Sequence, residues 1–173
     1  MDIKTYKIEE KGLVSVLYRG YFYSLDKVIK ELMKNNPSKK ITLWQKYDYY
    51  LDCNRMILHF GDNLKELVDK YNDFDVLVID NLSEKANTKE NIDFISYITT
   101  DEKFKDKTFI ILFSPLDCEK EEEISLSKFT TYKEIIESKS NEILCFNSIS
   151  SLDSMVMDKE GNVLSVIKHE RTK

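Results

Sequence analysis

The sequence is poor in the residues that interrupt or cross-link a chain: 4 glycines, 2 prolines and 3 cysteines in 173 residues. Cys53, Cys118 and Cys145 are odd in number, far apart and without a C-x-x-C pair, which argues against a disulfide framework or a zinc site and reads as reduced thiols. No apolar stretch approaches the length of a bilayer span. Met1-Asp2-Ile3-Lys4 lacks the basic-then-apolar pattern of a secretory leader, so no membrane association is expected and a cytoplasmic address follows by default. An excess of basic residues is also missing. The formal net charge of -5 argues against broad affinity for nucleic-acid backbones, although a local basic groove is compatible with an acidic total. No repeat or low-complexity tract is present.

What is present is an ordinary globular composition, 42% hydrophobic and 33% charged, long enough for one domain over 1–173 with a single core. The organising stretch is Asp75-Val76-Leu77-Val78-Ile79-Asp80-Asn81. A continuous β-branched run without alternation reads as a strand covered on both faces, as in the middle of a parallel α/β sheet. Asp80 would then stand at the carboxyl end of the strand, where open α/β sheets place their ligands.

Around this strand the periodicity alternates between strand and helix. Ile3 to Ile8 reads as a short edge strand, Lys11-Gly12 as a turn, and Leu13 to Tyr18 as a strand followed by the polar-aromatic loop Arg19 to Ser24. Leu25, Val28, Ile29, Leu32 and Met33 recur at helical spacing before the stop at Asn35-Asn36-Pro37. Lys40 to Trp44 reads as a strand and Tyr47 to Phe60 as a helix ended by Gly61. Asn63 with Glu66 suggests a capping pair for a short helix carrying Leu64, Leu67 and Val68. Asn81 to Asn87 reads as a loop, followed by a helix capped by Thr88, with Ile92, Ile95 and Ile98 on one side and Phe94 next to them. Thr108 to Phe113 is a second continuous apolar strand. After an acidic loop, Asp117 to Glu123, come a short helix near Tyr132 to Ile136, a strand from Glu142 to Phe146, and a hairpin from Ser154 to His169 turning about Gly161.

Three of these strands carry a resemblance. Gly12 to Arg19, Val76 to Leu82 and Phe109 to Leu116, with Ser125 to Phe146 matching more loosely in spacing, resemble in order the phosphate-loop strand, the magnesium-side strand, the sensor strand and the closing segment of the RecA-like ATPase core of DnaB-type replicative helicases. The resemblance covers most of residues 12 to 168. It implies a three-layer α/β fold: a RecA-like, mostly parallel sheet flanked by helices, with a C-terminal β-hairpin. It also implies a nucleotide site built from Arg19, Gly20, Ser24 and Asp80, if one is retained.

The departures from that pattern are as informative. A phosphate loop needs glycines that let backbone N–H groups converge on phosphate, a lysine for charge and a hydroxyl for magnesium. Here Tyr21, Phe22, Tyr23 and Ser24 stand in that loop after a single glycine, Gly20, with no lysine. The catalytic glutamate position falls near Tyr47, Pro115 takes the sensor glutamine position, and Met157-Asp158-Lys159 replaces the finger region. Removing such parts singly costs orders of magnitude in rate. The expectation is therefore a noncatalytic module that binds a protein partner or another copy of itself, in replication or mobile-element biology, without cofactor or metal. Its interaction surface would be drawn from Tyr21, Phe22, Tyr23, Trp44, Tyr47, Tyr49 and Tyr50.

Plainer readings stand beside each of these assignments. Asp80 as a strand-end cap, Arg19 as a solvated ion-pair partner, the Trp44 to Tyr50 aromatics as core rather than base-stacking platform, and the acids of 117–123 as a solvated loop all need no ligand. His59 and His169 have no sequence-visible partner for a triad. The alternative to the binding module is a divergent nucleotide-binding or metal-dependent enzyme that uses Arg19 and Asp80.

Overall fold

The computed structural model describes residues 11–19, 33–45, 57–59, 63–84, 87–115, 124–148, 153–158 and 163–168. These form strands β1 (Gly12–Arg19), β2 (Ile41–Gln45), β3 (Ile57–His59), β4 (Val76–Ser83), β5 (Thr108–Ser114), β6 (Ser140–Ser148), β7 (Asp153–Asp158) and β8 (Val163–Lys168). Between them lie helices α1 (Leu64–Lys70), α2 (Thr88–Thr100) and α3 (Lys133–Lys139), with single 3-10 turns at Glu102–Phe104 and Leu126–Lys128. The eight strands make one sheet in the order β3-β2-β4-β5-β1-β6-β7-β8. β1 to β6 run parallel, and β7 and β8 close the sheet as an antiparallel hairpin. This is the mostly parallel α/β sheet with flanking helices and C-terminal hairpin expected from the sequence.

The continuous apolar runs became the central strands because both faces of the sheet are covered. Leu13, Leu17, Leu77, Ile79, Phe109, Ile111 and Phe113 join one core with residues of α1, α2 and α3, and α2 packs between the other two helices. On the opposite face Val14, Leu43, Val78, Ile110 and Leu112 are buried as well. Toward the amino edge, Phe74, Phe109, Phe104 and Tyr97 form an edge-to-face chain with centroids 5.7, 5.7 and 5.4 Å apart. Ser15, a polar residue on the core side of β1, is accommodated by a 2.6 Å hydrogen bond to Ser140 on β6.

Exposed charges fasten the helices at the same edge. The Tyr97 hydroxyl donates to Asp69 at 2.5 Å and Lys103 Nζ reaches the same oxygen at 2.6 Å, which ties α1 to α2 and the 3-10 turn. The Lys103 and Tyr97 bonds hold Asp69 below the ordinary carboxylate range, while Asp69 raises both Tyr97 and Lys103.

Several local expectations are corrected. Ile57–His59 is a strand pairing in parallel with Leu43, Trp44 and Gln45, not the end of a helix over Tyr47 to Phe60; three residues fit either period, and pairing with the edge of β2 decides. β4 does not end at Asn81 but runs to Ser83, so residues 81 to 83 are strand rather than loop. The second helix is entered through Asn87, in the left-handed region at φ 56°, and not capped by Thr88, which is already helical. Asn63 precedes α1 without a side-chain capping bond; its carbonyl accepts from Leu67 N at 3.1 Å. Gly12 opens β1 at φ +91°, and a Cβ there would meet Asn141 Nδ2 at 2.7 Å; a turn at Lys11-Gly12 would involve residues before 11, which lie outside the described residues. The strand expected at Ile3 to Ile8, the acidic loop 117–123 and the hairpin turn at Gly161 lie outside the described residues.

Candidate functional site at the carboxyl edge of the sheet

The three strands that carry the sequence motifs are direct neighbours, in the order β4-β5-β1 and all parallel. Their carboxyl ends therefore open on one edge, where ligands of open α/β sheets bind. Arg19 is the last residue of β1, level with Asn147 of β6. Asp80 is not at the end of its strand. It lies within β4, opposite Gln45 of β2, where the register with β5 slips: Ile79 pairs with Ile111 but Leu82 with Phe113. Three steps along β4 thus match two along β5, a bulge that leaves Asp80 and Asn81 opposite Leu112. Bulges of this kind bend a strand and re-aim its residues, and they recur beside active sites. Arg19 and Asp80 stand on strands separated by β5, about 10 Å for two strand spacings.

The charged residue that the fold does commit at this edge is Glu84, immediately after β4 and only 7% exposed. Its Oε1 accepts from the backbone N–H groups of Thr131 at 2.7 Å, Tyr132 at 2.9 Å and Thr130 at 3.0 Å, and Oε2 accepts from the Thr130 hydroxyl at 3.3 Å. A buried carboxylate requires such compensation. The contact fastens the chain entering α3 to the end of β4. Tyr132 completes the join: its ring is fully buried against Phe113 at 5.5 Å, its hydroxyl donates to Ser83 O at 3.0 Å, and it accepts from Asn91 Nδ2 at 2.8 Å. Burial pushes the Tyr132 phenol up to about 12, the bond from Asn91 works against this, and the Glu84 charge adds to it.

The other sequence candidates are placed as follows. Trp44 is fully buried in the core, so its assignment to an interaction surface is corrected: residue 44 lies on β2 between β3 and β4, where no solvent reaches the ring. Its indole Nε1 has no hydrogen-bond partner. Pro115 is buried. Gly20, Tyr21, Phe22, Tyr23, Ser24, Tyr47, Tyr49 and Tyr50 lie outside the described residues. Among the described residues no group of three His, Cys, Asp or Glu side chains is placed to hold a metal ion, and no helix is long and apolar enough to cross a membrane.

Glu84, Asn91 and Tyr132 were not legible as a unit. Tyr132 lies 41 residues from Asn91 and 48 from Glu84, and no local spacing signals a contact that the sheet order creates.

No family model matches the chain, and no curated protein matches it. Among solved structures it is similar to the X-ray structure of the Legionella pneumophila ATPase DotB, with a TM-score of 0.44 and 11% sequence identity, over 88% of this chain and 47% of that one. The chain thus spans about half the length of that structure. A likeness at this level concerns the arrangement of strands and helices and gives no residue a role.

Proposed function

We propose that the chain is a noncatalytic module of the RecA-like kind, related in plan to the DnaB-type core, that acts by binding a protein partner or a second copy of itself. The observation that carries this reading is the engagement of Glu84. The buried acid at the carboxyl edge of β4 is bonded to three backbone N–H groups and a hydroxyl of its own chain, which makes it a structural clamp rather than a base facing a substrate. The sequence of the loop after β1 supports the same conclusion, since Gly20 to Ser24 offers one glycine and no lysine to a phosphate. An acidic net charge favours a protein partner over nucleic acid.

A second reading, a divergent nucleotide-binding or metal-dependent enzyme, draws on one specific observation: the bulge that singles out Asp80 at the ligand-binding edge of the sheet. Thermal unfolding with and without millimolar ATP or ADP plus magnesium separates the two. A ligand at a hundred times its dissociation constant stabilises by about 2.7 kcal/mol, a shift of a few degrees. The binding module shows no shift. A shift that disappears in Asp80→Ala overturns it in favour of the enzyme.

A further inference from the structure

At the opposite, amino-terminal edge of the sheet lies a cavity of about 600 Å³ that the carboxyl-edge reading leaves unused. It is lined by Lys40 to Thr42 at the start of β2 and by the end of α1 with the link into β4, residues 70 to 74. The volume falls within the range usual for small-molecule sites.

The lining is ordered by depth. Thr42, 6% exposed, places at the wall a hydroxyl that can both donate and accept. Phe74, also buried, and the half-buried Tyr71 give an apolar, aromatic body to the cavity. The rim is cationic on two sides. Lys40 comes from the strand side, and Lys70, whose ammonium stands 5.3 Å from the Tyr71 ring centre, from the helix side. Asp73 pairs with Lys40 at 2.5 Å but is 94% exposed on its side chain, so it lies in solvent and a competing carboxylate displaces it at little cost. The carbonyls of Asn72 and Phe74, which would repel an anion, are capped by Lys107 Nζ at 2.6 and 2.9 Å.

We propose that this cavity is a binding site for a small organic acid: a carboxylate held by Lys40 and Lys70 at the rim, an apolar, aromatic-sized body against Tyr71 and Phe74, and a polar atom meeting the Thr42 hydroxyl. The site lies at the far end of the sheet from Asp80 and Glu84 and does not depend on what happens there.

The test is a fluorescence titration of the full chain with 6-hydroxy-2-naphthoate, which carries all three features, beside 2-naphthol, which lacks the carboxylate, and 2-naphthylmethylamine, which reverses the charge. The carboxylate binds saturably and several-fold tighter than either analogue. Thr42→Val, nearly isosteric, weakens it roughly fivefold, the equivalent of one hydrogen bond. Lys40→Met, at an exposed position that folding tolerates, weakens it several-fold and flattens its salt dependence. Absence of saturable binding at about 1 mM probe, a level that detects even weak sites, overturns the proposal. Equal affinity in wild type and both variants, or tighter binding of the amine, does the same.

Discussion

Glu84 shows how one side chain can fix the meeting of two distant segments. Three successive N–H groups entering α3 have no helical acceptor, and the carboxylate after β4 satisfies all of them while remaining buried. Truncation to alanine leaves those donors facing a small void, and Glu84→Ala is expected to destabilise the protein by about 2–4 kcal/mol. Glu84→Gln keeps one acceptor oxygen and should cost about half as much. Urea unfolding of the two variants and wild type measures this directly; a midpoint for Glu84→Ala within error of wild type would mean that water replaces the carboxylate and that the clamp is dispensable. Tyr132 beside it gives a pH-dependent signature. Its phenol is raised from 10.0 to about 12 in the folded chain, so between those values the unfolded chain has lost a proton that the folded chain keeps. Stability contributed by the protonated phenol is complete below about pH 10 and is lost progressively as pH rises toward about 12. Tyr132→Phe removes this component. Urea midpoints for wild type and variant should therefore converge as the pH is raised from about 9 to about 11.5, and a constant gap between them would contradict the assignment.

At the scale of elements, what was legible followed from period and burial, and what was missed followed from partners. The runs Val76 to Ile79 and Phe109 to Phe113 identify themselves as buried strands because they are short, continuous and rich in β-branched and aromatic residues. Ile92, Ile95 and Ile98 declare α2 by spacing; Ile95 and Ile98 are buried together with Phe94, while Ile92 packs partly buried against the same core. Ile57-Leu58-His59 cannot declare itself, since three residues satisfy either period and only the neighbouring edge of β2 selects the strand. The bulge at Asp80 is equally silent: it is a relation between β4 and β5, and the polar pair Asp80-Asn81 reads locally as the end of a strand. Trp44 illustrates the same limit in the opposite sense. An aromatic beside a tyrosine-rich stretch suggests a surface, whereas its register beside Ile79 and Leu58 puts it in the core. The edge on which a site would be built was thus visible from the ends of the continuous strands. The acid held there, Glu84, was not, because its partners are brought to it only by the folded sheet.

For the whole molecule, the order of the sheet sets an expected order of opening. β4, β5 and β1 have a strand on each side and a buried face above and below, whereas among the described residues β8 pairs only with β7. Local openings take their lowest free energies at edges and their highest in the centre. Amide exchange read by mass spectrometry should therefore be slowest for 108–114 and 76–79 and fastest, among the described strands, at the two edges, 57–59 and 163–168. The β8 edge is also where a self-associating module would change most. Val163-Leu164-Ser165-Val166-Ile167 carries no charge to discourage pairing with another chain. If a second copy adds to this edge, protection of 163–168 rises with protein concentration while that of 108–114 stays fixed. If the partner is a different protein, or docks elsewhere, the edge exchanges at the same fast rate at every concentration. Slow, concentration-independent exchange at 163–168 would show instead that the hairpin opens only with the whole sheet, and the graded order of stability argued from strand position would be wrong.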